Sequence, residues 1–179
     1  MQSIHDIRFD NDLYAPTTHW ALLLYEQNGV SLAIPLANAE LMSFIKPFDN
    51  IKQCQHHVDT NLQKLITLFA WDDNIQQWLA NANDVPANLQ EIKIFCNSVD
   101  RTYVNACMRR YMHRFKNVTI EIINCDKLNY GLMLFGVDHL KKLDTDFPPN
   151  SVLQRRLHNN YKQICRVLAT YFWCEANTE

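Results

Sequence analysis

Glycine is the scarcest structural resource in this chain: among 179 residues it occurs three times, at positions 29, 131 and 136. A loop that cradles phosphate needs glycine so that backbone amides can come within hydrogen-bonding reach of the ligand. Neither G-x-G-x-x-G nor G-x-x-x-x-G-K-S/T is present. Nucleotide enzymes of those two designs are excluded. Paired cysteines are missing as well. Cys54, Cys96, Cys107, Cys125, Cys165 and Cys174 stand far apart, whereas a structural zinc site takes its thiolates two to four residues from one another. No G-x-S-x-G elbow marks a serine nucleophile. No apolar run approaches the ~18 residues of a membrane span, so no membrane partner is expected. No basic-then-apolar leader opens the chain, since Met1 to Asp12 carries three aspartates and one arginine. A cytoplasmic location with reduced thiols is the expectation.

What is present is a run of alternating signals around residues 91–126. Glu91-Ile-Lys-Ile-Phe-Cys96 is rich in β-branched and aromatic side chains and follows the breaker cluster Asn83-Asp84-Val85-Pro86, which predicts a strand. Asn97 to Asp100 supply N-caps. From Arg101 the period becomes helical, with Val104, Cys107, Met108, Tyr111 and Phe115 on one face. Val118-Thr-Ile-Glu-Ile-Ile123 predicts a second strand. Strand, helix, strand implies a right-handed crossover and a parallel pair.

The rest of the chain is read around that βαβ unit. Residues 1–18 lack a period and are expected to form an irregular arm. His19 to Tyr25 and Val30 to Leu36 flank Asn28-Gly29, the strongest short-range hairpin signal. Pro35 places the second strand at an edge. Asn38 is set to cap a short helix that Pro47 would stop. Val58, Leu62, Leu65, Ile66 and Phe69 recur at helical spacing. A new helix is expected to open at Asp73, paired with Gln76 in a capping box and burying Ile75, Trp78 and Leu79. Leu128 to Leu143 predicts a helix whose two glycines mark close packing. Ser151 opens a long last helix with the stripe Leu153, Leu157, Tyr161, Ile164, Leu168 and Phe172. The expected fold is α/β or α+β over one domain, residues 1–179. A small mixed sheet, made of the N-terminal hairpin and the βαβ unit, is covered by four to six helices.

Charge is unevenly distributed. Residues 1–90 carry four basic and ten acidic side chains, residues 91–179 thirteen and nine. Arg101, Arg109, Arg110, His113, Arg114 and Lys116 lie mostly off the apolar stripe of the first basic helix, and Arg155, Arg156, Lys162 and Arg166 off that of the last. Shared on one side of the sheet, they would form a cationic surface for an acidic protein or for phosphates.

Nucleophilic and metal chemistry have weaker candidates. Cys96 sits where a strand meets a helix, a place that lowers a thiol's pKa. Cysteine phosphatases place an arginine six positions after the nucleophile. Here Arg101 comes five after Cys96 and position 102 is Thr. Cys125 would end the neighbouring strand and approach it. Cys54, His56 and His57 lack a second local pair, and Asp6, Asp10 and Asp12 read as solvated carboxylates. No catalytic residue, metal or cofactor is expected. The sequence therefore points to a non-catalytic interaction or regulatory domain with an acidic protein partner. The alternatives are nucleic-acid binding by the two basic helices and, third, a cysteine enzyme at Cys96.

Overall fold

The computed structural model describes residues 1–28, 33–82, 84–115 and 117–179. Seven strands are described: β1 (Gln2–Ser3), β2 (His19–Leu24), β3 (Pro35–Leu36), β4 (Ile45–Phe48), β5 (Leu65–Trp71), β6 (Leu89–Cys96) and β7 (Thr119–Asn124). Six α-helices accompany them: α1 (Asn11–Tyr14), α2 (Ile51–Thr60), α3 (Asp72–Asn81), α4 (Arg101–Tyr111), α5 (Leu128–Leu143) and α6 (Val152–Ala176). Five strands form one sheet in the order β4-β2-β5-β6-β7, parallel throughout, and β1 pairs antiparallel with β3. The fold is α/β.

Each face of the sheet carries its own core. Leu22, Leu24, Ile66, Leu68, Ile92 and Ile94 meet α2, α3 and α4 on one side. Ala21, Leu23, Phe69, Phe95 and Ile123 meet α5, α6 and the N-terminal segments on the other. Strands covered on both faces have no need to alternate, which is why β2 and β5 read as apolar runs, interrupted in β5 by the buried Thr67.

The βαβ unit, α5 and α6 stand where the sequence places them, the strands extended by two residues or fewer. Five expectations are corrected. The stretch given helical spacing at Leu65, Ile66 and Phe69 is β5, a buried central strand whose continuous apolarity carries no period. The hairpin is not made by the described residues. Its turn, 29–32, lies outside them, β2 has parallel neighbours on both sides, and Pro35–Leu36 pairs with β1. The large sheet is accordingly parallel rather than mixed. Pro47 stops no helix; it lies in the edge strand β4, where its missing amide costs nothing, and Ala39–Met42 forms a 3-10 turn. The arm is ordered as well: Ser3 and Asp6 close a capping box, Asp10 caps α1, and Ile4, Ile7, Leu13 and Tyr14 are buried.

Gly136 is where α5 meets its neighbours most closely. A Cβ there would lie 2.8 Å from Phe44 Cζ and 3.1 Å from Ile164 Cδ1.

Candidate functional site at the carboxyl edge of the sheet

Numbered by chain position within the large sheet, the strand order is 2-1-3-4-5, one of the two common doubly wound arrangements. The chain leaves β2 toward one face of the sheet and leaves β5, through α3, toward the other. Between the carboxyl ends of these adjacent strands a crevice must open, and open α/β sheets bind ligands in such crevices. A cavity of about 680 Å³ lies there. Tyr25 to Asn28 reach it from β2, Trp71, Asp73 and Asn74 from β5, Asn97 from β6, and Cys125 and Asp126 from β7.

The crevice is held in shape by one buried carboxamide. Asn74 Nδ2 donates to the Glu26 carbonyl at 2.8 Å, and Asn74 Oδ1 accepts from the Glu26 amide at 2.8 Å. This locks the segment after β2 onto the first turn of α3. The Glu26 carboxylate accepts from the Ile51 amide at 2.6 Å and so completes the start of α2. Tyr25 meets Trp71 edge to face with ring centroids 5.8 Å apart, Gln27 Nε2 donates to the Tyr25 hydroxyl, and Trp71 Nε1 donates to Asp73 at 3.3 Å.

The electrostatics of the cleft are one-sided. Glu26, Asp73 and Asp126 contribute carboxylates; Gln27, Asn28, Asn74, Gln76, Gln77 and Asn97 contribute carboxamides; no lysine, arginine or histidine lines it among the described residues. Asp72 stands beside it, 6% exposed and with Oδ1 unpartnered. Burial, with Asp73 adding to it, pushes the Asp72 carboxyl up to about 6. The thiols are not activated. Burial, with Asp72 next in size, pushes Cys96 up to about 11, and burial together with Cys96 pushes Cys125 up to about 12. Both thiols are therefore held protonated at neutral pH.

The chain matches no protein-family model, no curated protein and no solved structure.

The basic residues anticipated from sequence do not converge. α4 packs on one face of the sheet and α6 on the other. Arg114 donates to the carbonyls of Leu79 and Ala82 and closes the C-terminal end of α3. Arg156 pairs with Asp10, and Arg155 donates to the Asn150 carbonyl at 3.3 Å. Lys162 and Arg166 are exposed on α6, and Lys116 lies outside the described residues. Arg101, Arg109 and Arg110 are exposed on α4.

The cleft residues escaped the sequence reading because Asn28 and Asn97 read locally as a turn and a cap and Asn74 belongs to no motif; only the strand order joins them. A usable signal existed. Each apolar strand run ends in a short polar cluster, Glu26-Gln-Asn28, Asp72-Asp-Asn74, Asn97-Ser98 and Asn124-Cys-Asp126. Chemistry gathers at that edge of a parallel sheet.

A second hollow, about 480 Å³, separates β6 and β7 from α5. In it Lys93 bridges Glu91, at 3.0 Å, and Glu121. Burial works against the Lys93 charge, but the two carboxylates outweigh it and hold the pKa above the usual lysine value. His139 sits at the inner end with Nδ1 unpartnered. Burial, with His19 beside it, pulls it down to about 3 and keeps it neutral.

Proposed function

We propose that this chain is a non-catalytic, ligand-responsive interaction domain that works inside the cell under reducing conditions. Its carboxyl-edge cleft takes a small uncharged or cationic molecule with a flat polar group. One observation carries the ligand class: the largest cavity described, at the reversal of strand order, is lined by carboxylates, carboxamides and two aromatic rings with no cation among the described residues. Phosphorylated or carboxylate ligands would meet repulsion there, and Asp72 and Asp73 occupy the first turn of α3, where an anion would otherwise bind. Amines and neutral amide-bearing rings find acceptors and stacking surfaces.

The non-catalytic half of the reading draws on the two thiols, both held protonated at neutral pH, since the thiolate is the reacting form. The intracellular half draws on the burial of Cys54, Cys96 and Cys107. No helix among the described residues is long and apolar enough to cross a membrane. Partner binding is assigned to Arg101, Arg109 and Arg110 of α4, which form no ion pair among the described residues. A nucleic-acid reading has less support, because the two basic helices sit on opposite faces.

Trp71 reports on the cleft directly. Its fluorescence is to be titrated with amines and uncharged ring compounds, each paired with its phosphorylated counterpart, using Trp71→Phe as the blank. Saturable change is expected from the unphosphorylated members and weakened by Asn74→Ala. Binding confined to the phosphorylated members would overturn the proposal.

A further inference from the structure

β7 ends the sheet, and among the described residues no strand pairs with its outer edge. The opposite edge strand, β4, is blunted by Pro47, whereas β7 contains no proline. A row of backbone donors and acceptors is therefore left open along Thr119–Asn124, and such rows accept an added strand. Beside the edge runs α4. Ile120, Ile122 and Met108 form the floor of a groove of about 260 Å³, and Arg101, Asn105 and Arg109 form its wall.

The wall residues are spaced i, i+4 and i+8, so they stand in one row along the helix. No acidic residue occurs in α4. Among the described residues no carboxylate forms an ion pair with Arg101 or Arg109. The Arg101 guanidinium donates to the Asn124 side-chain oxygen at 3.3 Å.

From these observations we infer that the β7–α4 edge binds an extended acidic peptide segment, which adds to the sheet as a sixth strand and gives its carboxylates to Arg101 and Arg109. The inference deepens the interaction half of the proposed function. It uses none of the cleft residues, so its failure would leave the cleft reading untouched.

The spacing fixes the peptide pattern. Eight helical residues rise about 12 Å, and four strand residues span about 13 Å. Two acids at i and i+4 therefore match the two arginines, and an even separation keeps both on the side facing α4. The residue at i+2 faces the Ile120–Ile122 floor and should be apolar. A second copy of β7 is a poor occupant, because it would bring its own arginine row to the same edge.

The test uses the full chain and a fluorescein-labelled peptide, Ser-Glu-Thr-Ile-Thr-Glu-Ser, followed by anisotropy at low salt. Binding is expected to weaken by about tenfold or more when the two acids are made adjacent. Arg101→Glu with Arg109→Glu should abolish it, while Arg110→Glu on the same helix should leave it within about twofold. Two further peptides are N-methylated, one at the isoleucine and one at the threonine before it. One of the two should lose binding, since alternate amides of a strand face its neighbour. Equal affinity for both N-methylated peptides would mean that charge alone holds the peptide, and the strand-addition proposal would fall. Absence of binding would also overturn it. Tighter binding of a single-stranded oligonucleotide at the same arginines would reassign the face to nucleic acid. A dimer by sedimentation that the double substitution alters would reassign it to a second copy.

Discussion

Asp72 carries a burial cost that pH can expose. Its carboxyl titrates near 6 in the folded chain against an ordinary value of 3.8. Between those values the folded state keeps a proton that the unfolded state has released. The stabilising contribution is therefore complete below about pH 4 and is lost as pH rises through about 6. Asp72→Asn should raise the melting temperature at pH 7.5 and change it little at pH 4. His57 and His139 act with the opposite sign in the same window. Burial holds them near 4 and 3, so their contribution is present above 6.5 and declines on acidification. The parent profile mixes these effects, and the difference between variant and parent isolates Asp72. An equal shift at both pH values would deny the carboxyl its raised pKa. Cys96 offers a second residue-level check. A thiol-reactive probe on the folded protein should show no inflection below the ordinary cysteine value, because burial and Asp72 both oppose the thiolate.

At the scale of elements, the two glycines of α5 make contrasting predictions. Gly136→Ala drives a methyl into Phe44 and Ile164 and should cost roughly 1–3 kcal/mol as overpacking. Gly131→Ala meets only Ile123 at 3.5 Å, and the gain in helix propensity should leave stability equal or higher by up to about 1 kcal/mol. Chemical denaturation of both variants separates the cases. On α6, Leu157 and Leu168 are buried, and truncation of either to alanine should cost about 2–5 kcal/mol, whereas Arg155→Ala should barely register. α6 was legible in sequence because it buries one face and leaves the other wet, which writes the 3.6-residue period into the chain, and α5 was legible as a long, mostly apolar run. β5 was not. Residues 66–70 are buried on both sides of the sheet, so the strand keeps no polar face to mark its period. Pro47 misled for a related reason: proline breaks helices, and only knowledge of the sheet order shows it at an edge.

For the whole molecule, the cleft was the least legible part. Its chemistry comes from the ends of four strands separated by dozens of residues, and nothing local to Asn28 or Asn97 announces that they meet. The C-terminal tail belongs to this scale too. Phe172 and Trp173 are 48% and 68% exposed, and Tyr171 stacks on Tyr130 with centroids 4.9 Å apart. The expected stripe along α6 is therefore buried at Leu157, Ile164 and Leu168, half-buried at Leu153 and Tyr161, and emerges into solvent at Phe172. Removing residues 173–179 should leave the unfolding midpoint of the isolated chain unchanged, and a clear drop in thermal stability would show that the tail covers the core.

The strand order also dictates when the chain can begin to fold. β2 lies between β4 and β5, and its pairings join Ala21 to Ile45 and Trp20 to Ile66. β2 thus has no neighbour in the sheet until at least 24 further residues have been made, and it is not enclosed until 46 have. Closing the longer loop is the slower step: β2 meets β5 across 46 residues, whereas β5 meets β6 across 24, from Thr67 to Glu91. The folding nucleus should therefore form around β5 and β6, with β2 slotting in later. During synthesis an apolar segment, His19 to Leu24, waits uncovered, and this is the interval in which a chaperone would have most to do.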